Sequence, residues 1–327
     1  MKVAIIGAGI AGLACAKRLS ERGIEVALFD KGRRPGGRLS TLRIEGQSWD
    51  FGAPFVRVSN PQFAAQVQVW EQAGVIARWP GGPDGAWVGV PGMSALVEAA
   101  AEHLPVRFGA QVLRLDRDGT GWSLAGPDLR EGPFAGIVLA VPCEQAATLL
   151  SVHDLMMAQE AASVRSVPCW SVMAAFDQPL PGLPNVIGEQ GPIRWAARNN
   201  SKPGRGSDEC WVIHGESAWS QQKLEMPAPQ VAHELLAALA GIAGIAGQDL
   251  PEPKFLKAHR WRFALPMGQR GKPLWNPALQ LGACGDWCVG PRIEGAWRSG
   301  VELADQIGAG LTIPACQPTA VSVVGAS

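Results

Sequence analysis

The chain has 327 residues, a length that suits about two domains. Apolar side chains make up 47% and charged ones 18%, a composition that can bury a sizeable core and excludes global disorder. Lys+Arg and Asp+Glu are 29 each, so no basic excess exists to neutralise a nucleic-acid backbone.

The chain opens on Val3–Ile6, a short apolar run that predicts a buried strand. A helix is predicted over Ile10–Arg22, stopped by Gly23, and a second strand over Glu25–Phe29, ending at Asp30. These thirty residues read as a βαβ unit rather than a signal peptide, because three Gly interrupt the apolar stretch. Further on, Met93–His103 and Val231–Leu239 predict helices. Val106–Leu115, Trp122–Leu124 and Phe134–Val141 predict strands. Ser171–Phe176, Cys210–His214 and Leu256–Phe263 predict strands of a second sheet, before a last strand at Leu279–Ala283 and a last helix at Gly295–Ile307. Loops are expected at Trp79–Gly85, Pro179–Pro184 and Asn199–Ser207, and a frayed tail from Thr312.

Gly7-Ala8-Gly9-Ile10-Ala11-Gly12 stands between the first strand and the first helix, the context of a dinucleotide-binding fingerprint. Gly7 makes the tight turn, Gly9 admits a pyrophosphate, Gly12 lets helix and strand pack, and the helix N-terminus faces the phosphates. Asp30 is placed to accept the ribose hydroxyls. The fingerprint alone does not separate NAD from FAD. Two further segments favour FAD. Gly36-Gly37-Arg38 offers close backbone approach and a guanidinium for the pyrophosphate. Gly285-Asp286-Trp287 ends a strand before a helix opening near Glu294-Gly295-Ala296. Asp286 suits a ribityl hydroxyl, and that helix N-terminus suits the flavin O2.

Seven Cys at 15, 143, 169, 210, 284, 288 and 316 include no CxxC, so small buried thiols are expected rather than disulfides or zinc. No metal site is expected. No segment reaches the ~20 apolar residues of a membrane span, so no membrane partner and a cytoplasmic location are expected. Tyr is absent, which removes any tyrosine acid or tyrosyl-linked cofactor. No nucleophile–His–acid set and no carboxylate pair is evident, and hydride transfer to flavin N5 needs proximity more than acid–base help. No residue is therefore assigned a catalytic role. The five His are read as structural. Trp195 and Trp211 suit either core or stacking. Arg198 and Arg262 suit either an anionic substrate group or surface salt bridges.

At these residues the chain resembles the FAD-dependent amine-oxidase superfamily: the fingerprint, the Asp-Lys-x-x-x-x-Gly-Gly-Arg run at 30–38 and the C-terminal Gly-Asp-Trp. Within it, Asp50-Phe51-Gly52-Ala53, Trp87 to Met93, Ser201-Lys202-Pro203-Gly204-Arg205, Trp261 to Pro266 and Gly285 to Trp297 are similar to bacterial renalase-like oxidoreductases. The resemblance implies an α/β fold: a glutathione-reductase-like Rossmann FAD domain with an inserted α+β substrate domain of mixed sheet and helices. The expected division is 1–55, 94–150 and 275–311 for FAD, 56–93 and 151–274 for substrate, and 312–327 as tail. Non-covalent FAD is expected on Gly7, Gly9, Ile10, Ala11, Gly12, Asp30, Lys31, Gly37, Arg38, Gly52, Ala53, Val112, Gly285, Asp286, Ile293, Glu294, Gly295 and Ala296. The substrate pocket is expected among Pro54, Phe55, Trp195, Arg198, Asn199, His214, Arg262 and Trp287. The implied activity is oxidation of an off-pathway dihydronicotinamide, a small-molecule substrate, with O2 or another acceptor taking the electrons and O2 giving H2O2. A flavin amine oxidase and a non-enzymatic flavin redox sensor are the alternatives. The chain departs from the family at Pro54-Phe55, where Gln-Tyr is usual, and this leaves the family substrate in question.

Overall fold

The computed structural model describes residues 1–244, 250–268 and 271–310; the expected tail and Cys316 lie outside them. In chain order the elements are β1 (Lys2–Ile6), α1 (Ile10–Ser20), β2 (Glu25–Asp30), β3 (Leu42–Ile44), β4 (Gln47–Trp49), α2 (Pro61–Gln72), β5 (Ile76–Arg78), β6 (Trp87–Gly89) and α3 (Ala95–Ala101). Then follow β7 (Val106–Phe108), β8 (Arg114–Asp118), β9 (Gly121–Gly126), β10 (Leu129–Phe134), β11 (Gly136–Leu139), α4 (Cys143–Leu150), α5 (Leu155–Ala162), β12 (Arg165–Phe176), β13 (Val186–Ile187) and β14 (Ile193–Arg198). The last are β15 (Glu209–Gly215), α6 (Ser217–Gln222), α7 (Ala228–Ile242), β16 (Phe255–Met267), β17 (Leu274–Asn276), β18 (Leu281–Ala283), α8 (Asp286–Val289) and α9 (Ile293–Gly310).

The fold is α/β. A six-stranded sheet runs β17-β18-β11-β1-β2-β7, parallel except at β17. Its strands are nearly continuous apolar runs, as burial on both faces requires. One face is covered by α1 and α9 and the other by a core that includes Trp122, Leu150 and Met157 from the three-stranded sheet β10-β9-β8 and from α4 and α5. Helices α1 and α9 approach closely, since a Cβ on Gly300 would lie 2.1 Å from the Ala11 carbonyl oxygen.

The second large sheet runs β13-β14-β15-β12-β16, all antiparallel. Alternation gives it two different faces. Trp170, Val172, Ala174, Trp211 and Ile213 point to α7. Met173, Ala175, Cys210 and Val212 point the other way, onto Trp49 and Phe51.

Several elements differ from expectation. Val106–Leu115 is two strands in two sheets, because Gly109 turns with φ +71°. Phe134–Val141 divides in the same way between β10 and β11. The strands at Ser171 and Leu256 extend to twelve and thirteen residues. Helix α2 was not expected, although Asn60 caps it by accepting from the Phe63 amide and Pro61 occupies its first turn. Among the described residues no helix is long and apolar enough to cross a membrane.

Candidate functional site

The first half of the site is the turn between β1 and α1. Gly7 has φ +105°, and a Cβ there would lie 2.3 Å from the Ala140 carbonyl oxygen. A Cβ on Gly12 would lie 2.0 Å from the Gly7 carbonyl oxygen, so both positions are closed to larger residues. Gly9 differs: a Cβ there would meet nothing within 4 Å. The fingerprint therefore packs tightly at its first and third Gly and borders open space at its second, where the α1 N–H groups emerge. Gly37 faces the same space, its Cβ position 4.0 Å from the Gly9 Cα.

Asp30 lies at the end of β2. Its Oδ2 accepts from the Ala8 amide at 2.7 Å and its Oδ1 from the Gly32 amide at 2.6 Å. A carboxylate has about four lone-pair positions, so two remain for a ligand. Lys31 next to it is exposed. Val112 is half-buried, in the loop whose Ala110 amide donates to the Asp30 carbonyl at 2.9 Å.

The second half-site is assembled from distant segments. Arg38 forks onto Asp286, both N–H···O distances being 2.6 Å, and also donates to the Ala264 carbonyl at 3.0 Å. The two residues expected at separate parts of a long cofactor thus meet directly. Gly52 and Ala53 lie against Arg38: the Ala53 amide donates to its carbonyl at 2.8 Å, and a Cβ on Gly52 would lie 2.1 Å from that oxygen. Helix α9 begins at Ile293, and Ala296 belongs to the core shared with α1. A Cβ on Gly295 would lie 2.3 Å from the Gly290 carbonyl oxygen. Glu294 turns away from this region. Its carboxylate accepts from Ser59 and from the Asn60 amide at 2.9 Å, which fastens the start of α2. Burial would raise its pKa, but the Ser59 and Asn60 bonds dominate and lower it.

The segment 50–55 connects this half-site to the antiparallel sheet. Asp50 is fully buried and accepts from Lys202, Arg205, the Met93 amide and the Thr41 hydroxyl. Burial alone would raise its pKa; Lys202, Arg205 and the Met93 amide hold it well below the usual carboxylate range. Lys202 is likewise lowered, chiefly by burial, with Asp50 opposing. One anion and two cations leave this cluster net positive.

Beyond it, Trp195, His214, Ser171 and His259 occupy one register row across β14, β15, β12 and β16, so they share a face. Phe51 lies at the His259 end, with ring centroids 5.0 Å apart, and Phe55 at the Trp195 end, at 5.4 Å. Trp261 stacks on Phe51 and donates its indole N–H to the Phe51 carbonyl at 2.8 Å. Burial pushes the His214 imidazole down to about 4, aided by the charges of Lys202 and Arg194 and opposed by the Phe51 backbone. His259 is also lowered, first by burial and then by Lys257.

The expected pocket residues separate into two groups. Phe55, Trp195 and His214 come together, with Pro54 half-buried beside Phe55. Asn199 is buried and braces the segment, donating to the Ser48 carbonyl at 2.7 Å. Arg198 faces the opposite side of the sheet, where it binds Glu209 at 3.1 Å and two loop carbonyls. Arg262 is a surface partner of Glu225 at 2.8 Å. Trp287 is core, with its N–H on the Val141 carbonyl. Ser171, His259, Trp261 and the Asp50 cluster were not expected here. Strand alternation from His214 and His259 was the available signal for the row, but pairing partners are invisible in one sequence. The six described Cys are buried, and burial pushes the Cys169 and Cys210 thiols up to about 12. Among the described residues no group of three His, Cys, Asp or Glu is placed to hold a metal.

Comparison with known proteins agrees with this geometry. Residues 5–72 match the NAD(P)-binding Rossmann-like domain, and residues 80–308 match flavin containing amine oxidoreductase. The chain is 42% identical over 55 residues to the zeta-carotene-forming phytoene desaturase of Myxococcus xanthus, covering 17% of this chain and 11% of that protein. It is 45% identical over 60 residues to the 4,4'-diapophytoene desaturase (4,4'-diaponeurosporene-forming) of Staphylococcus aureus strain Newman, covering 18% of this chain and 12% of that protein. The similarity to these relatives thus spans only about a tenth of their length. In fold, the chain is similar to a candidate protoporphyrinogen oxidase of Exiguobacterium sp. 255-15, with TM-score 0.75, 14% identity and coverage of 94% and 98% of the two chains. It is also similar to cyclohexylamine oxidase of Brevibacterium oxydans IH-35A, with TM-score 0.70, 14% identity and the same coverage. With the flavin family spanning most of the sequence, the chain belongs to the flavin-containing amine oxidoreductases and is an FAD-dependent oxidoreductase.

Proposed function

We propose that the chain is a renalase-like oxidase: it oxidises a small reduced N-heterocycle of the dihydronicotinamide class, with non-covalently bound FAD and with O2 as acceptor. The observation that carries this reading is the charge beside the row. The buried Asp50–Lys202–Arg205 cluster is net positive, its Lys202 lowers the His214 pKa, and none of the four row residues is acidic. An alkylammonium brought there meets repulsion and no counter-ion, whereas a neutral ring meets aromatic walls and neutral polar groups.

The donor set fits FAD. Open space at Gly9 beside the α1 N-terminus suits phosphates, and the two remaining Asp30 lone-pair positions suit hydroxyls. When bound, FAD supplies the redox chemistry: it accepts a hydride and passes two electrons to O2, releasing H2O2. In this reading the α1 N-terminus and Gly37 hold the pyrophosphate, Asp30 holds the ribose, and Asp286 holds the ribityl chain. The N-terminal N–H groups of helix α9 would stabilise negative charge on the ring. Phe55 and Trp195 orient the substrate. Two separate large sheets support the division expected from sequence, in which 1–55, 94–150 and 275–311 carry the cofactor and 56–93 and 151–274 the substrate.

Anaerobic mixing of the holoenzyme with 2- or 6-dihydro-NAD(P) tests the reaction. The flavin absorbance should bleach rapidly, and admitting O2 should restore it with formation of H2O2. Faster bleaching by primary amines than by every dihydronicotinamide would replace this reading with a flavin amine oxidase.

A further inference from the structure

Three atoms of the row are buried and have no hydrogen-bond partner among the described residues: Trp195 Nε1, His214 Nε2 and Ser171 Oγ. Ser171 is fully buried and His214 is 8% exposed. Buried polar atoms without partners are uncommon, because each gives up its hydration with no hydrogen bond in return. Here three lie side by side on adjacent strands, on the face toward the 51–55 segment, which carries Phe51 and Phe55 at the two ends of the row. The same segment rests on the Arg38 carbonyl, so the row and the cofactor half-site share a wall. The three atoms are aligned in register on the face that adjoins the proposed cofactor half-site.

The chemistry of the three atoms is specific. An indole N–H donates only, a Ser hydroxyl donates or accepts, and a neutral imidazole nitrogen does one or the other according to tautomer. Trp195 and Ser171 are two strands apart, about 9.6 Å between backbones, with His214 between them. The oxygen and nitrogen of a carboxamide are about 2.2 Å apart, and a hydrogen bond of about 2.9 Å on each side spans about 8 Å. Side chains leaning inward close the remainder.

We infer that this row reads a carboxamide on the substrate ring: Trp195 Nε1 donates to the amide oxygen, Ser171 Oγ accepts from the amide NH2, and His214 Nε2 lies beneath the group as a third contact. The inference rests on the dihydronicotinamide reading and deepens it, by assigning which residues select the ring's substituent. Trp195 and Ser171 are specificity determinants rather than chemical catalysts.

The test is equilibrium binding of two neutral probes, nicotinamide and 3-acetylpyridine, to the oxidised holoenzyme, followed through the flavin absorbance. The probes differ only in the NH2 that Ser171 is assigned to read. Wild type should bind nicotinamide about tenfold more tightly, the ratio expected for one lost hydrogen bond. Ser171→Ala should reduce the ratio to below about twofold, mainly by weakening nicotinamide. Trp195→Phe should weaken both probes by about tenfold and preserve the ratio. A ratio unaffected by Ser171→Ala, nicotinamide binding unaffected by Trp195→Phe, or a wild type that binds neither probe overturns the inference. Both substitutions delete an unpartnered buried atom, so neither breaks a bond of the fold; if Trp195→Phe fails to fold, the Ser171→Ala ratio decides alone. Binding reads the row and anaerobic bleaching reads the reaction, so dihydronicotinamides that fail to bleach the flavin while the binding pattern holds would reject the reaction only.

Discussion

Asp50→Asn is the most informative single perturbation of the fold around the site. The wild-type carboxylate is fully buried and compensates Lys202 and Arg205, whose side chains are each 1% exposed. Asn keeps the volume and can still accept from Met93, but it leaves two buried cations without an anion. Removing one partner of a buried ion pair costs about 3–5 kcal/mol. Unfolding entropy of about 2.1 cal/mol/K per residue over this chain converts 1 kcal/mol into roughly 1.5 °C, so the midpoint should fall by about 4–7 °C at pH 7. The pH dependence follows from the directions of the two shifts. Asp50 is depressed when folded, so its stabilisation is present above the unfolded carboxyl value of about 4 and is lost as pH falls through the folded value. The wild type therefore keeps it throughout the neutral range. In the variant, Lys202 loses the anion that opposes its burial and is lowered further. A group depressed in the folded state adds stability as pH rises, so the gap between variant and wild type should narrow between pH 7 and 9.5. Thermal unfolding by circular dichroism at several pH values measures both effects. A loss under 1 °C at pH 7, or a gap that widens with pH, refutes the reasoning.

Other substitutions separate cofactor binding from folding. Asp30→Ala should weaken FAD by about ten- to a hundredfold, since charge-assisted hydrogen bonds contribute roughly 1.5–3 kcal/mol; an unchanged FAD dissociation constant would remove Asp30 from the ribose site. Gly9→Ala places a Cβ in open space at φ −79°, so the apoprotein should melt as wild type while FAD binding is lost. Gly12→Ala should lower the apoprotein midpoint itself, because its Cβ would collide with the Gly7 carbonyl oxygen. Arg198→Met should cost roughly 3 kcal/mol by leaving Glu209 buried without its cation, with the nicotinamide to 3-acetylpyridine ratio kept, whereas Arg262→Ala should leave the melting midpoint close to wild type, because its pair with Glu225 is exposed.

The β1–α1 half of the candidate site was legible as local structure because its physics is local. A tight turn, an exposed helix N-terminus and a strand-end acid are set by residues within about twenty positions of one another, and Gly7, Gly9, Gly12 and Asp30 stand where that spacing places them. Composition and the Gly285-Asp286-Trp287 segment were equally open to reading, whereas Asp50-Phe51-Gly52-Ala53 was visible only as a family likeness. What the tertiary structure decided is which distant residues meet. Arg38 and Asp286 each suited an anion or a hydroxyl alone, and only folding joins them across 248 positions. Arg198 lost its candidacy through strand parity: one position of offset from Ala197 turns it to the α7 side, onto Glu209. Trp195, His214 and Ser171 form a row only through strand register, which depends on long-range pairing that period-2 alternation cannot specify. Burial then removed the charge from His214, because desolvation is a property of everything packed around a group and not of its neighbours in the chain.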